Sequence, residues 1–284
     1  MSRPYRIDGP AEPQTPVILS VPHAGRDYPA ALAESSRWPR EQLEILEDRH
    51  ADLLAHDAAA AGFTVLAATR ARAWIDLNRH EREVDPDMIA DAPRGHGYIR
   101  SAKVTGGLGL VPRRLRALGD IHARRLDHRE VAARIAADHR PYHEQLAALL
   151  ASARNRFGIA VLLDLHSMPP LTEPGGMPAR IVIGDRFGRS AAGRFTAALR
   201  ETAEAGGWRV ALNSPYAGGH ILDTHGAPAR RVHAVQIEID RSLYLDAELR
   251  EPGPGLSRTR ALVGDLARAI ADEAFGSAST IAAE

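Results

Sequence analysis

Apolar and polar positions along the chain predict short buried strands that alternate with helices. Runs that are apolar almost throughout indicate strands covered on both faces, and apolar residues spaced three and four apart indicate helices. The predicted strands are PVILSV (16–21), FTVLAAT (63–69), AWIDLN (73–78), GIAVLLDLH (158–166), ARIVIGD (179–185), WRVALN (208–213) and VHAVQIEID (232–240). The predicted helices cover 40–61, 112–137, 141–155, 190–205 and 257–274.

This alternation predicts a three-layer α/β domain with a largely parallel sheet. The chain has no internal repeat, low-complexity linker or shift in composition, so one domain is predicted for residues 1–284. Residues 1–16 are polar and proline-rich and are predicted to form an irregular arm. Residues 81–112 are charged and then glycine-rich, which predicts a long loop system.

Polar side chains lie where several of these apolar strands end. In open α/β sheets, ligands bind beyond the carboxyl ends of the strands. A single polar residue there is more often structural, but several on one expected edge favour a functional site. These side chains are His23, Asp76, Asn78, Arg79, Asp164, His166 and Glu238.

Glu238 is the candidate general base. It is flanked by Val235, Ile237 and Ile239, and a carboxylate in apolar company needs a polar partner or carries a large desolvation cost. Such surroundings favour proton uptake by a carboxylate and suit a base that works near neutral pH. The structural alternative is an ion pair with Arg241 or another arginine.

Composition limits the chemistry that the chain can support. There are no cysteines, so a transition metal must be held by His, Asp or Glu. Two separated histidines and a carboxylate form the protein shell of a hydrolytic zinc site. Asn78 and Arg79 suit a clamp for a substrate carboxylate, and a strand-end turn with a surface arginine is the alternative.

Net charge and hydropathy argue against other classes of function. Lys plus Arg equals Asp plus Glu at 36 each, so no global field favours nucleic acid or an anionic membrane. No segment reaches transmembrane length or forms a signal peptide, which predicts a cytoplasmic enzyme. The segment TGGLGL (105–110) lacks the remainder of a phosphate-binding loop and is predicted to be a flexible loop near the site and a candidate lid. His143 and His220 are candidates for the pocket, with surface or helix-cap roles as the alternatives.

A chain of motifs resembles the N-formylglutamate amidohydrolase family over about residues 16 to 250. The motifs are VILSVPHAG, EDRHADLL, RAWIDLNR, YHEQL, LLDLHSMP, NSPYAGGHI and VQIEIDRSLYLD. The resemblance implies a relative of the zinc carboxypeptidases and aspartoacylases, which have a three-layer α/β/α fold with a mixed sheet. Those enzymes hydrolyse amide bonds beside a carboxylate.

The resemblance also implies roles for individual residues. It implies one zinc ion per chain held by His23 and His166, catalysis by Glu238, a substrate-carboxylate clamp of Asn78 and Arg79, and an arginine at Arg72 that polarises the scissile carbonyl.

The carboxylate ligand departs from the related enzymes. They use His-x-x-Glu, but Arg26 stands three residues after His23. Asp48 of EDRH is the predicted ligand because the family keeps an aspartate there, and Asp27 and Glu47 are the alternatives. For Asp48 on a predicted helix, a solvated surface position is equally compatible with the sequence.

The resemblance implies hydrolysis of N-formyl-L-glutamate to glutamate and formate. A small N-acyl amino acid is therefore the expected partner. The alternative within enzymes is a zinc carboxypeptidase or γ-glutamyl hydrolase that acts on peptides. A metal- or amino-acid-binding protein without turnover is the alternative from another class, and the buried position predicted for Glu238 argues against it.

Overall fold

The structure, a computed structural model, describes residues 3–92, 95, 97–173 and 176–281. Its strands are β1 Tyr5–Asp8, β2 Val17–Val21, β3 Thr64–Ala68, β4 Arg114–Leu115, β5 Gly119–Asp120, β6 Ala160–Met168, β7 Ile181–Gly184, β8 Val210–Leu212 and β9 Val232–Asp240. Its α-helices are α1 Ala30–Ser35, α2 Arg40–Leu43, α3 Ala51–Leu54, α4 His56–Ala60, α5 Ala102–Thr105, α6 His128–Arg134, α7 Arg140–Phe157, α8 Gly193–Ala205, α9 His220–His225 and α10 Leu256–Ile281. Ile135–His139 forms a π-helix, and single 3-10 turns occupy Glu44–Leu46, Pro86–Met88, Pro228–Arg230 and Arg241–Leu243.

The described residues cluster into two compact units. Unit 1 comprises residues 3–6, 22–47 and 68–145. Unit 2 comprises residues 7–21, 48–67 and 146–281. The assignment of the whole chain to one domain stays a prediction. Among the described residues, none of the helices combines the length and the apolar character needed to cross a bilayer.

Unit 2 holds most of a seven-stranded mixed sheet. The strand order is β1-β3-β2-β6-β9-β7-β8. β2 is parallel to β3 and β6, β6 is parallel to β9, and β7 is parallel to β8, but β7 runs antiparallel to β9. Every residue of β2, β6, β7 and β9 is buried, as expected for central strands covered on both faces.

Helices cover this sheet. α10 packs against α3, α4 and α8 and against β2 and β6, while α9 packs against β6 and β9. The helical spacing of buried residues in α10 explains this contact, since Leu262, Leu266 and Ile270 lie on one face. The predicted three-layer α/β/α fold with a mixed, largely parallel sheet is confirmed.

Unit 1 contains long loops, short helices and the two-stranded β4–β5 pair. Its apolar cluster is formed by Leu32, Leu43, Ala73, Leu115 and Ile121, with partly buried Tyr28, Trp38, Leu46, Trp74 and Leu118 packed against it. α6, the π-helix and the start of α7 follow one another without a break.

Four predicted elements differ from the structure: two helices, the N-terminal arm and the strand AWIDLN. The predicted helix 40–61 is broken into α2, a 3-10 turn, α3 and α4, because Glu47 is extended and His50 adopts a left-handed conformation with φ 58°. In the predicted helix 112–137, residues before 128 form loop and the β4–β5 pair, and α6 begins only after Asp127, which forms a capping box with Glu130. The predicted arm, residues 1–16, contains β1.

The segment AWIDLN is buried but is not a strand. Residues 73–78 form turns and irregular backbone, although Ile75 and Leu77 are almost completely buried. Its apolar pattern therefore predicted burial correctly and secondary structure wrongly. The missing ladder hydrogen bonds are replaced by side-chain contacts.

Candidate functional site

A stripe of polar residues crosses three adjacent strands of unit 2. Ser20 of β2 is paired with Asp164 of β6, Asp164 with Gln236 of β9, and His166 with Glu238. Residues paired across strands share a face of the sheet, as do residues two apart along a strand. The sheet therefore presents these five polar side chains together on one face.

His166 is held between two carboxylates inside this stripe. Its Nδ1 lies 3.0 Å from Asp48 Oδ2 and its Nε2 lies 2.9 Å from Asp164 Oδ2. The Ser20 hydroxyl donates to the other oxygen of Asp164 at 2.8 Å. Burial alone lowers the pKa of His166, but Asp164, Asp48 and Glu238 outweigh it and hold the pKa well above its usual value. The imidazole is thus fixed in position and surrounded by negative charge.

Asp48 is buried in the turn between the 3-10 segment Glu44–Leu46 and α3, at 2% exposure, so a solvated position on a helix surface is wrong. Arg241 donates from Nη2 to Asp48 Oδ1 at 3.1 Å and from Nε to Ser167 Oγ at 3.1 Å. The Tyr244 hydroxyl donates to the Arg49 carbonyl at 2.8 Å. These contacts fix the turn that carries the carboxylate.

The other two candidate carboxylates bind different partners. Asp27 pairs with Arg70 and its side chain is 44% exposed. Glu47 is fully buried and accepts a hydrogen bond from the Tyr28 hydroxyl at 2.6 Å. Burial, and then the charge of Glu47, raises the pKa of Tyr28. Asp48, in contrast, contacts His166, a predicted metal ligand.

Glu238 is buried on the same face as His166. It accepts a hydrogen bond from Gln236 Nε2 at 3.0 Å. Arg241, the alternative partner considered for Glu238, contacts Asp48 and Ser167.

Asp76 organises a second polar cluster, in unit 1. Its Oδ1 contacts His23 Nε2 at 2.8 Å and accepts the backbone N–H of Asn78 at 2.9 Å. Its Oδ2 accepts from Nε and Nη2 of Arg72, both at 2.9 Å, and lies 3.8 Å from Nε of Arg79. Burial would raise the pKa of Asp76, but Arg72, Arg79 and His23 outweigh it and hold the pKa well below its usual range. Asp76 is therefore ionised and orients both arginines and His23.

The TGGLGL segment contacts this cluster. The Leu108 carbonyl accepts from Arg79 Nε at 3.0 Å, and the Leu110 carbonyl accepts from the Asp76 N–H at 2.7 Å. Gly109 is needed there, because a Cβ would lie 2.5 Å from the Glu83 carbonyl oxygen. A role for the segment as a lid stays a prediction.

His143 and His220, the two other histidines predicted as candidates for the pocket, lie in different units. His143 Nε2 donates to the Leu77 carbonyl at 2.9 Å in unit 1. His220 is the first residue of α9 in unit 2 and lies 3.2 Å from the Thr224 hydroxyl. Asp48 and His166 belong to the buried His and Asp side chains that could hold a metal ion.

Sequence reasoning missed the carboxylates that contact the predicted histidine ligands. The sequence predicts no histidine partner for Asp76 or Asp164, yet each contacts Nε2 of a predicted histidine ligand. A signal was available, because Asp164 precedes His166 by two residues, a spacing that places both on one face of a strand. For Asp76 and His23, 53 residues apart, no such local signal exists.

The family model of the N-formylglutamate amidohydrolases matches residues 15–245. The chain belongs to this family. The predicted resemblance over about residues 16–250 is thereby confirmed.

Known proteins resemble this chain in sequence, in fold or in both. An N-formylglutamate deformylase from Pseudomonas putida is 32% identical over 235 residues, which are 81% of this chain and 82% of that protein. The crystal structure of an N-formylglutamate amidohydrolase from Ralstonia eutropha JMP134 has a TM-score of 0.87 and 31% identity, and covers 96% of this chain and 98% of that one. A protein from Agrobacterium tumefaciens, 20% identical with a TM-score of 0.67 over 96% of this chain and 95% of that one, shares the fold.

Proposed function

We propose that this protein hydrolyses N-formyl-L-glutamate to L-glutamate and formate. Family membership and the names of the Pseudomonas putida and Ralstonia eutropha relatives support this substrate. The observation that carries the chemistry is the buried contact between Asp48 and His166, since His166 lies on the sheet face that also carries Glu238. A buried imidazole, a carboxylate and a second carboxylate are the parts that metal-assisted hydrolysis needs.

The donor set fits a zinc ion. Ligand atoms in a tetrahedral zinc site with bonds of about 2 Å lie roughly 3.3 Å apart, and His166 Nδ1 lies 3.0 Å from Asp48 Oδ2. The Asp164 contact at Nε2 is the outer partner that a ligating imidazole usually has. His23 has a similar contact to Asp76 at 2.8 Å, and the resemblance implies that His23 is the third ligand. Zinc, when bound, acidifies a water molecule and polarises the substrate carbonyl.

Glu238 would act as the general base and then as the general acid. Its carboxylate would take a proton from the attacking water and return it to the nitrogen of the leaving amine. Gln236 donates to Oε1 of Glu238 at 3.0 Å, which orients the carboxylate. Arg72, held by Asp76, would stabilise negative charge on the carbonyl oxygen in the transition state.

Asn78 and Arg79 would bind a carboxylate of the substrate. Arg79 uses Nε and Nη1 on the carbonyls of Leu108 and Asn78, so its guanidinium plane is fixed. A fixed guanidinium can recognise a planar carboxylate in a way that a flexible ammonium cannot. This supports an amino acid substrate with a free carboxylate.

A panel assay tests the proposed function against the alternatives. Purified protein with zinc is assayed against N-formyl and N-acetyl derivatives of glutamate, aspartate, glutamine and leucine, and against γ-glutamyl and C-terminal glutamyl peptides. We expect the largest kcat/KM for N-formyl-L-glutamate. Preferred cleavage of peptides would establish the carboxypeptidase or γ-glutamyl hydrolase alternative, and binding without turnover of any compound would establish the binding-protein alternative.

The conservative substitution Arg79→Lys tests the carboxylate clamp. We expect KM for N-formyl-L-glutamate to rise by about tenfold or more while kcat changes less. The lysine keeps the charge but loses a contact that stabilises the ground state and the transition state equally. N-formyl-L-glutamine and N-formyl-L-isoglutamine, each lacking one carboxylate, identify the carboxylate that is bound. For the analogue that lacks the bound carboxylate, kcat/KM should be little lower with Arg79→Lys than with wild type, since both changes remove the same interaction. Fully additive losses for both analogues would contradict the clamp.

A further inference from the structure

Two histidines of one helix hold the backbone on both sides of Asn78. His139 Nε2 contacts the Arg79 carbonyl at 2.9 Å, and His143 Nε2 contacts the Leu77 carbonyl at 2.9 Å. They are four residues apart, so they lie on the same face of the helix, with ring centroids 4.4 Å apart. Because a carbonyl oxygen only accepts hydrogen bonds, both imidazoles donate Nε2–H.

These contacts complete a set of side-chain donors along the buried segment 77–79. The carbonyl between them, that of Asn78, accepts from Arg79 Nη1 at 2.7 Å. Three consecutive carbonyls are thus bonded by side chains instead of by a strand or helix. The segment has no regular secondary structure of its own, and buried carbonyls without partners are costly. Its conformation therefore depends on these donors.

The helix is built to hold this loop. Arg134 donates to the Trp74 carbonyl at 3.0 Å and stacks over the Trp74 ring at 3.6 Å. Asp138 accepts from Trp74 Nε1 at 2.8 Å and from Arg70 Nε at 3.1 Å. The π-helix ends at His139. A π-helical turn inserts one extra residue into an α-helix, which rotates the flanking residues by roughly 100° about the helix axis. Such turns are frequent at functional sites.

The burial and the protonation state of His139 suit a fixed hydrogen-bond donor. It is buried at 2% exposure, and burial lowers the pKa of its imidazole, with the Arg79 carbonyl and Glu81 opposing the change. The ring is therefore neutral near pH 7, and the contact to the carbonyl places its single proton on Nε2.

We infer that His139 and His143 are positioning residues that set the geometry of Asn78 and Arg79 through the backbone of residues 77–79. This inference rests on the proposed function, in which Asn78 and Arg79 bind the substrate carboxylate. The histidines themselves make no contact with substrate in this role. They determine the KM for substrates that carry the bound carboxylate.

The test compares His143→Ala with His143→Gln, whose amide can place an N–H where the imidazole Nε2 lies. For His143→Ala we expect KM for N-formyl-L-glutamate to rise about tenfold with kcat within about threefold of wild type, since a buried carbonyl loses its donor. His143→Gln should recover most of the loss. The analogue that lacks the bound carboxylate should show little change in KM. His56→Ala, with a side chain 65% exposed, is the matched control and should behave as wild type.

Other outcomes would overturn the inference. They are an unchanged KM in His143→Ala, an equal loss for substrates with and without the carboxylate, or a folded His143→Gln variant as impaired as His143→Ala. If His143→Ala does not fold, the same comparison is made between His143→Gln and the shorter His143→Asn. If wild-type protein turns over no N-formyl amino acid, the proposed function fails, and binding of L-glutamate then decides the inference. Its Kd must rise in His143→Ala and be restored in His143→Gln.

Discussion

Glu238→Gln is expected to retain the bound metal and to lose at least about a hundredfold in kcat, the usual scale for general acid–base catalysis. The substitution preserves the shape of the side chain and leaves an acceptor for Gln236, but it removes the carboxylate that takes up the proton. The measurement is the initial rate of formate release at saturating N-formyl-L-glutamate, with metal content determined on the same sample.

The surface substitution Glu204→Gln on α8 is the matched control and should leave kcat unchanged. Glu238 would return to a structural role if Glu238→Gln kept kcat within a few fold of wild type and its pH profile were unaltered. Loss of metal together with activity would indicate that Glu238 acts through the metal site and not as a base.

His166→Ala is expected to abolish metal binding and to lower kcat/KM by about a thousandfold or more. Metal-ion catalysis contributes several kcal/mol of transition-state stabilisation, and each 1.4 kcal/mol corresponds to a factor of ten. The fold should persist, because Asp48 keeps its contact with Arg241 and Asp164 keeps its contact with Ser20.

Elemental analysis, circular dichroism and activity are measured on the same preparation of His166→Ala. His56→Ala is again the control, since it removes an exposed imidazole that has no proposed role in the chemistry. A folded His166→Ala protein that keeps both its metal and its activity would remove His166 from the ligand set.

The sequence predicted the central strands well because the pattern that indicates a buried strand lies in consecutive residues. β2, β6 and β9 are rich in apolar residues and bounded by turn residues, and each is completely buried. The direction of β7, in contrast, cannot be predicted from a local pattern. Its run IVIG is as apolar as the others, and its antiparallel pairing with β9 depends on the path of the chain, which periodicity does not encode.

The irregular segments around the site could be predicted only in part. Asp48 is buried because the chain turns at His50 with a left-handed backbone, and the helical spacing of leucines on either side conceals this turn. AWIDLN has the composition of a strand, but its Trp74 and Leu77 carbonyls are bonded by side chains from distant positions. The contact between Asp76 and His23 joins residues 53 apart in the sequence, so no local pattern could reveal it.

Titration of metal-depleted protein with zinc tests the central claim most directly. The protein is treated with a chelator, zinc is returned stepwise, and formate release from N-formyl-L-glutamate is measured at each step. We predict that the rate is negligible at first and saturates at about one zinc ion per chain, as expected for a single three-ligand site. Full activity in the metal-depleted protein, or formate release that never responds to zinc, would contradict the account.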